Sequence, residues 1–301
     1  MWPQSEQPAS LLGGPTPRAG HTSTCIFYQG SEAILVLGGF DGDAVLNDAF
    51  VFTPPQQRWE RLQTSGQGIP PAPRAMHAAA MLGRTLIVHG GWGGVDLLRA
   101  DTCCLHLSTA VPQWEAPSQR LSLDPGPAGR QGHTLVAAPR TPLGAAAGAT
   151  PQPELFLFGG DTGTGVSNEL WSLTVTADGQ QLVWKPVAPS GTPPPARSGH
   201  AACILPADGS GKGDGERHML IFGGRTATGE TLGDLHVFCI DGRRWSQPRV
   251  NGDVPRPRWA CACCVLPAGG PRGPRLVVHG GRDSEGWVVG RGGFECGSFP
   301  T

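Results

Sequence analysis

Arg and His recur along this chain in one spacing. They meet in PTPRAGH (Arg18, His21), PAPRAMH (Arg74, His77), GPAGRQGH (Arg130, His133) and PPARSGH (Arg197, His200). A fifth copy, PRPRWAC, keeps Arg258 but puts Cys261 in the His position. Guanidinium groups grip carboxylates by paired hydrogen bonds, and imidazole serves acid–base or metal chemistry. Glu230, Asp234 and His236 form a second group, spaced E-x3-D-x-H, with donors of metal-ligand type. Nine Cys are present, with Cys261, Cys263 and Cys264 close together in WACACCVL, but no spacing matches a zinc pattern. In that setting Cys acts as a small strand hydrophobe. G-x-S-x-G, Walker A and H-E-x-x-H motifs are absent, as is a coherent nucleophile–base pair. The sequence therefore predicts no catalytic residue, no metal site and no cofactor.

The elements that position these residues repeat as well. The recurring arginines are spaced 56, 56, 67 and 61 residues apart. Each is followed by an apolar strand that ends in a glycine pair: Gly38–Gly39, Gly90–Gly91, Gly159–Gly160, Gly223–Gly224 and Gly280–Gly281. An acidic residue then precedes another apolar strand, in NDAFVF, ADTCCLHL, NELWSL and GDLHVF. A Trp comes 20 to 24 residues after the second Gly, at Trp59, Trp114, Trp184 and Trp245. The first repeat thus contains four short strands, near HTSTCIFY, ILVLGG, AFVF and RWERL. Nearly continuous apolar runs suit strands covered on both faces. Gly at the pair allows positive φ and close backbone approach, and Trp fills space between neighbouring sheets.

Composition bounds the classes. With 46 Gly and 30 Pro in 301 residues, a quarter of the chain is breaker residues, which excludes a helix bundle. Hydrophobic residues at 39% and nine Trp argue against a solvated chain. A formal net charge of −1 carries no signal for nucleic acid or an anionic membrane. The start MWPQSEQPAS lacks the features of a signal peptide, and no apolar run approaches the ~18 residues of a membrane span. A reducing cytoplasmic or nuclear location is expected from the cysteine usage.

Glycine pairs, the acidic residue and the spaced Trp resemble the kelch repeat. The resemblance covers residues 2–281 and implies an all-β kelch propeller of four-stranded antiparallel blades. Five repeats are recognisable, at about 18–64, 74–119, 130–189, 197–249 and 258–281, the last one incomplete. Residues 1–17 form an N-terminal segment, and 282–301 are expected to be an irregular tail. Two endings stay open. Residues 2–12 supply the outer strand of the fifth blade with Trp287–Val289 as a poor third strand, or the chain is a shortened form of a six- or seven-bladed propeller. Gly/Pro/Ala-rich links at about 139–153, 206–218 and 267–275 are expected to be spacers.

Strand order predicts that the turn before the first strand and the loop after the glycine pair share a rim. The resemblance implies peptide docking there. The partner-binding candidates are Phe40, Asp41, Trp92, Asp161, Arg225 and Arg282 from the loops, with Arg18, Arg74, Arg130, Arg197 and Arg258 from the turns. Copper–radical kelch oxidases need tyrosine ligands, and the single Tyr28 excludes that chemistry. Iron-dependent kelch specifier proteins carry E-x3-D-x3-H, from which Glu230, Asp234 and His236 depart in the last spacing. The expected function is a non-enzymatic scaffold for a protein or peptide partner. The alternatives are substrate recognition for a ubiquitin ligase, or a metal-dependent or small-ligand-binding propeller.

Overall fold

The computed structural model describes residues 13–65, 68–95, 97–108, 111–115, 126–138, 154–176, 181–205, 216–248, 250–252, 254–266, 274–288 and 291–296. Among them are five four-stranded antiparallel sheets, and the one helical element is the 3-10 turn Pro54–Gln56. The chain divides into two compact units, Met1–Leu121 with Ala128–Gln131 and Ser122–Pro127 with Gly132–Thr301.

The first unit holds two sheets. One comprises β1 (Thr22–Tyr28), β2 (Ser31–Phe40), β3 (Val45–Thr53) and β4 (Arg58–Arg61), paired in that order. The other comprises β5 (Ala78–Leu82), β6 (Thr85–His89), β7 (Thr102–His106) and β8 (Gln113–Trp114). Leu35, Leu37 and Val51 of the first sheet pack with Leu86, Val88, Leu105 and Trp114 of the second.

The second unit holds three sheets. They are β9 (Thr134–Ala138), β10 (Glu154–Phe158), β11 (Leu170–Val175) and β12 (Leu182–Val187), then β13 (Ala201–Leu205), β14 (His218–Arg225), β15 (Thr231–Cys239) and β16 (Arg244–Ser246). The third contains β17 (Val250–Gly252), β18 (Ala262–Leu266), β19 (Arg275–His279) and β20 (Arg291–Cys296). Strand β14 explains the continuous apolar runs. Successive side chains leave a strand on opposite faces, so Met219 and Ile221 pack against Phe156 and Phe158, while Leu220 and Phe222 pack against Leu276 and Val278. Both faces are interior, and full burial of each such side chain contributes about 1.5–3 kcal/mol. Trp245 fills the space between two sheets, 5.3 Å from Phe158 and 5.0 Å from Phe238. Trp114 and Trp184 are buried likewise, whereas Trp59 is half-buried.

Four of the five glycine pairs join their sheet to the turn Arg of the next repeat. Gly223 and Gly224 have φ of 67° and 100°, in the region L side chains rarely adopt. Gly224 N–H donates to the carbonyl of Arg258 at 2.9 Å, and a Cβ on Gly223 would collide with that oxygen. Gly39 to Arg74, Gly91 to Arg130 and Gly160 to Arg197 repeat the bond at 2.8–2.9 Å. Gly38, Gly90, Gly159, Gly280 and Gly281 share the same signs of φ.

The fifth repeat corrects two expectations. Its sheet is complete, because the free backbone edge of β19 is paired by Arg291–Cys296, inside the tail expected to be irregular. Trp287 instead closes a tight turn by bridging to Arg282. Val250–Gly252 holds the outer position that one of the two open endings gave to residues 2–12. Residues 2–12 themselves lie outside the described residues, as do the links 139–153, 206–215 and 267–273.

Candidate rim binding surface

Turn arginines that recur at the start of each repeat face inward. Arg197 is fully buried, its Nη1 and Nη2 donating to the two oxygens of Asp234 at 2.7 and 2.8 Å. Nη1 also donates to the Gly223 carbonyl at 2.9 Å, and Nε to the Pro195 carbonyl at 3.0 Å. Arg74 repeats this with Asp101 and the Gly90 carbonyl, and Arg18 with Asp48 and the Gly38 carbonyl. Burial alone would raise the Asp234 carboxyl. Hydrogen bonds from Arg197 and His236, with the Arg197 charge, outweigh it and hold the group well below the usual carboxylate range. In three blades the acidic residue at the third strand, Asp48, Asp101 or Asp234, is thus the internal counter-ion. Arg130 is fully buried, and Arg258 is almost so, bonding the Gly280 carbonyl at 3.1 Å. The expectation that Arg18, Arg74, Arg130, Arg197 and Arg258 face a partner is therefore corrected. A charge this deeply buried stays folded only with internal partners.

Two of the recurring histidines, His77 and His200, are structural too. His77 Nε2 meets Thr22 Oγ1 at 2.9 Å, and His200 Nε2 meets Thr134 Oγ1 at 2.8 Å, in each case across two sheets. Burial, then the neighbouring turn Arg, lowers both to about 3, so both are neutral at pH 7. Asp234 and His236 of the E-x3-D-x-H group bond each other at 2.8 Å beside Arg197, while Glu230 lies exposed on a loop.

Loop candidates behave differently. After four of the five glycine pairs the next residue is pinned to the residue after a turn Arg by two backbone hydrogen bonds. The pairs are Phe40 with Ala19, Trp92 with Ala75, Arg225 with Ser198, and Arg282 with Trp259, at 2.7–3.0 Å. These side chains are the ones that change from repeat to repeat. In the first unit Phe40 and Trp92 meet edge to face, with ring centres 5.8 Å apart. Asp41 Oδ1 accepts from the N–H groups of Asp43 and Ala44 at 3.0 and 2.8 Å, which lowers its pKa. Asp161 Oδ1 accepts from Gly163 N–H at 2.9 Å. Both carboxylates close their own turns.

In the second unit Arg225 and Arg282 come together on one indole. The Arg225 guanidinium stands 4.6 Å from the Trp259 ring centre. Arg282 stands 5.6 Å from Trp259 and 5.1 Å from Trp287. Both arginines are exposed, Trp287 is 71% exposed, and neither arginine is ion-paired among the described residues. Beside this ladder lies a cavity of about 510 Å³, lined by Arg225, Thr231, Pro257 and Trp259 with Glu230 and Asp283 among its acids. Arg256 also reaches it, but pairs with Glu285 at 3.6 Å. The free cationic edge is thus Arg225 and Arg282. Trp259 was missed by sequence reasoning. Its signal was a large aromatic directly after Arg258, where the other repeats carry Ala19, Ala75, Gln131 and Ser198.

Comparison with known proteins fits this architecture. Adagio-like protein 3 of Oryza sativa subsp. japonica is 29% identical over 293 residues, covering 93% of this chain and 40% of that protein. The serine/threonine-protein phosphatase BSL2 of Arabidopsis thaliana is 28% identical over 282 residues, covering 93% of this chain and 24% of that protein. The leucine-zipper-like transcriptional regulator 1 homolog of Drosophila melanogaster is 26% identical over 264 residues, covering 84% and 24%. The chain spans less than half the length of these relatives. Among the described residues no helix is long and apolar enough to cross a membrane. The KLHDC2/KLHL20/DRC7 Kelch-repeats domain matches residues 3–142 and 139–290, and with its glycine pairs and four-stranded blades the chain belongs to this family of all-β kelch propellers.

Proposed function

We propose that the chain is a non-enzymatic scaffold that receives a protein or peptide partner on the loops carrying Arg225, Trp259, Arg282 and Trp287. Kelch-repeat domains commonly bind proteins. One observation supports this surface above the others. Arg18, Arg74 and Arg197 are paired with carboxylates inside their blades. Arg225 and Arg282 have none among the described residues, and stand over the Trp259 ring beside a cavity. Arg and Trp dominate binding energy at protein interfaces because they combine area with directed hydrogen bonds. The matching partner segment places a carboxylate against the guanidinium pair and an apolar or aromatic side chain against Trp287. Asp283, Glu285 and Glu230 around the rim disfavour a uniformly acidic stretch.

A displayed library of random peptides, selected on the full chain and counter-selected on an Arg225→Glu/Arg282→Glu double variant, tests this. The expected pool carries an acidic residue next to an aromatic or large apolar one, and its binding weakens with salt. Peptides that bind the folded double variant as well as the original chain would sink the surface assignment.

A further inference from the structure

At the far end of β14 and β15 from the Arg225 loop, three donors of different chemistry converge. His218 and Cys239 are direct cross-strand partners, so their side chains leave the sheet on the same face. Glu216 precedes His218 by two residues, which returns it to that face. One ligand atom from each of Glu216, His218 and Cys239 lies within 4.8 Å of the others, and His218 Nε2 is 3.9 Å from Glu216 Oε2. Cys239 is buried, and Glu216 and His218 are half-buried.

The corner is shaped around the sulfur. Gly242 N–H donates to Cys239 Sγ at 3.1 Å. A Cβ at position 242 would lie 3.0 Å from that sulfur and 3.6 Å from Glu216 Oε1, so glycine leaves the space between the two donors open. Burial and the neighbouring Glu216 push the Cys239 thiol up to about 11, against the opposing Gly242 N–H, so metal binding has to displace its proton. Beside the corner, Arg217 donates to the Asp241 carboxylate through its backbone N–H and its Nε.

We propose that Glu216, His218 and Cys239 bind one divalent transition-metal ion of zinc type. Thiolate, imidazole and carboxylate together suit zinc rather than calcium or magnesium, which take oxygen donors. Three protein ligands leave the fourth tetrahedral position to water. On binding, the Cys239 S–H bond breaks, its proton goes to solvent and the sulfur lone pair forms the metal bond. The ion clamps the start of β14 to the end of β15, where the chain returns from the 206–215 link. The donors come from opposite strands, 20 residues apart between His218 and Cys239, so no contiguous motif announces them.

The test uses the full chain, stripped with chelator and loaded with Co2+, whose thiolate bond gives a charge-transfer band in the near ultraviolet. The expected result is a band that saturates at one equivalent, is displaced by Zn2+, and is lost in Cys239→Ser. Chelator competition should show Zn2+ affinity falling at least about 10-fold in His218→Gln and Glu216→Gln, since even outer-shell partners contribute about 10–100-fold. Both of these variants replace half-buried side chains and leave Cys239 in place, so they carry the test if Cys239→Ser does not fold. A band that survives in folded Cys239→Ser, or Zn2+ affinity unchanged in both His218→Gln and Glu216→Gln, overturns the site.

Discussion

Arg197 and Arg225 belong to the same blade, one in the turn before its first strand and one at the end of its second. Arg197 is fully buried, chelates Asp234 and caps the Gly223 carbonyl. Arg225 lies exposed on Trp259, with no carboxylate partner among the described residues. The difference separates two kinds of repetition. The turn Arg, present in every repeat, does internal work: Arg18, Arg74, Arg197 and Arg258 cap a glycine-pair carbonyl, and the first three also neutralise a carboxylate. The position after the glycine pair is repeated only as backbone. Its side chain runs Phe40, Trp92, Asp161, Arg225, Arg282, and the proposed function assigns the last two of these to the partner.

The largest effect expected from this contrast is on stability. Arg197→Met leaves Asp234 half-buried without its cation and the Gly223 carbonyl without a donor. Breaking such a pair costs about 3–5 kcal/mol, read as a lower urea midpoint. Arg258 provides an internal control, because among the described residues its side chain hydrogen-bonds only the carbonyls of Gly280 and Arg256. Arg258→Met is expected to cost about 1–3 kcal/mol, the range for orphaned polar groups. Equal losses at the two sites would break the idea that the counter-ion makes the turn Arg indispensable.

Acid should sharpen the same contrast. His77 and His200 have folded pKa values near 3, against about 6.5 in the unfolded chain. The unfolded state therefore binds more protons between these values. Stability is full above about pH 6.5 and falls on acidification by about 1.4 kcal/mol per pH unit for each His. Asp234, held low, adds a loss only below its unfolded value of about 3.9. His200→Gln should flatten the slope between pH 4 and pH 6 by about 1.4 kcal/mol per unit. An unchanged slope would show that His200 is protonated in the folded state.

What was legible in the sequence follows the same division. Repeated backbone requirements stood out, because glycine at positive φ and apolar strands recur at a fixed period. The turn arginines were visible as a motif, but not their direction. Seeing that Arg197 points inward requires pairing it with Asp234, 37 residues on. Strand β20 escaped because Arg291–Cys296 contains Gly292 and Gly293 and lacks the acidic residue before an apolar run. It is held by ladder hydrogen bonds, which any residue but proline can make. Trp259 escaped because a single departure from a repeat carries no period. His218 and Cys239 escaped because only the register of β14 on β15 sets them opposite each other.

The smallest stability effect is expected on the rim, and it is the most diagnostic. Arg225→Ala removes an exposed side chain whose internal interaction is with the Trp259 face, 4.6 Å away. Exposed cation–π contacts are worth about 0.5–1 kcal/mol. Arg225→Ala, Trp259→Ala and the double variant should therefore close a thermodynamic cycle with a coupling of that size. Their urea midpoints should stay close to that of the unaltered chain, far from that of Arg197→Met. Binding of the selected peptides should fall by more than tenfold in each single variant, because a hot-spot Arg or Trp at an interface costs about 2 kcal/mol or more. A coupling above about 2 kcal/mol in the free protein would mean that the Arg225–Trp259 stack is a structural clamp like Arg197–Asp234. The line drawn between the repeated and the variable arginine would then fail.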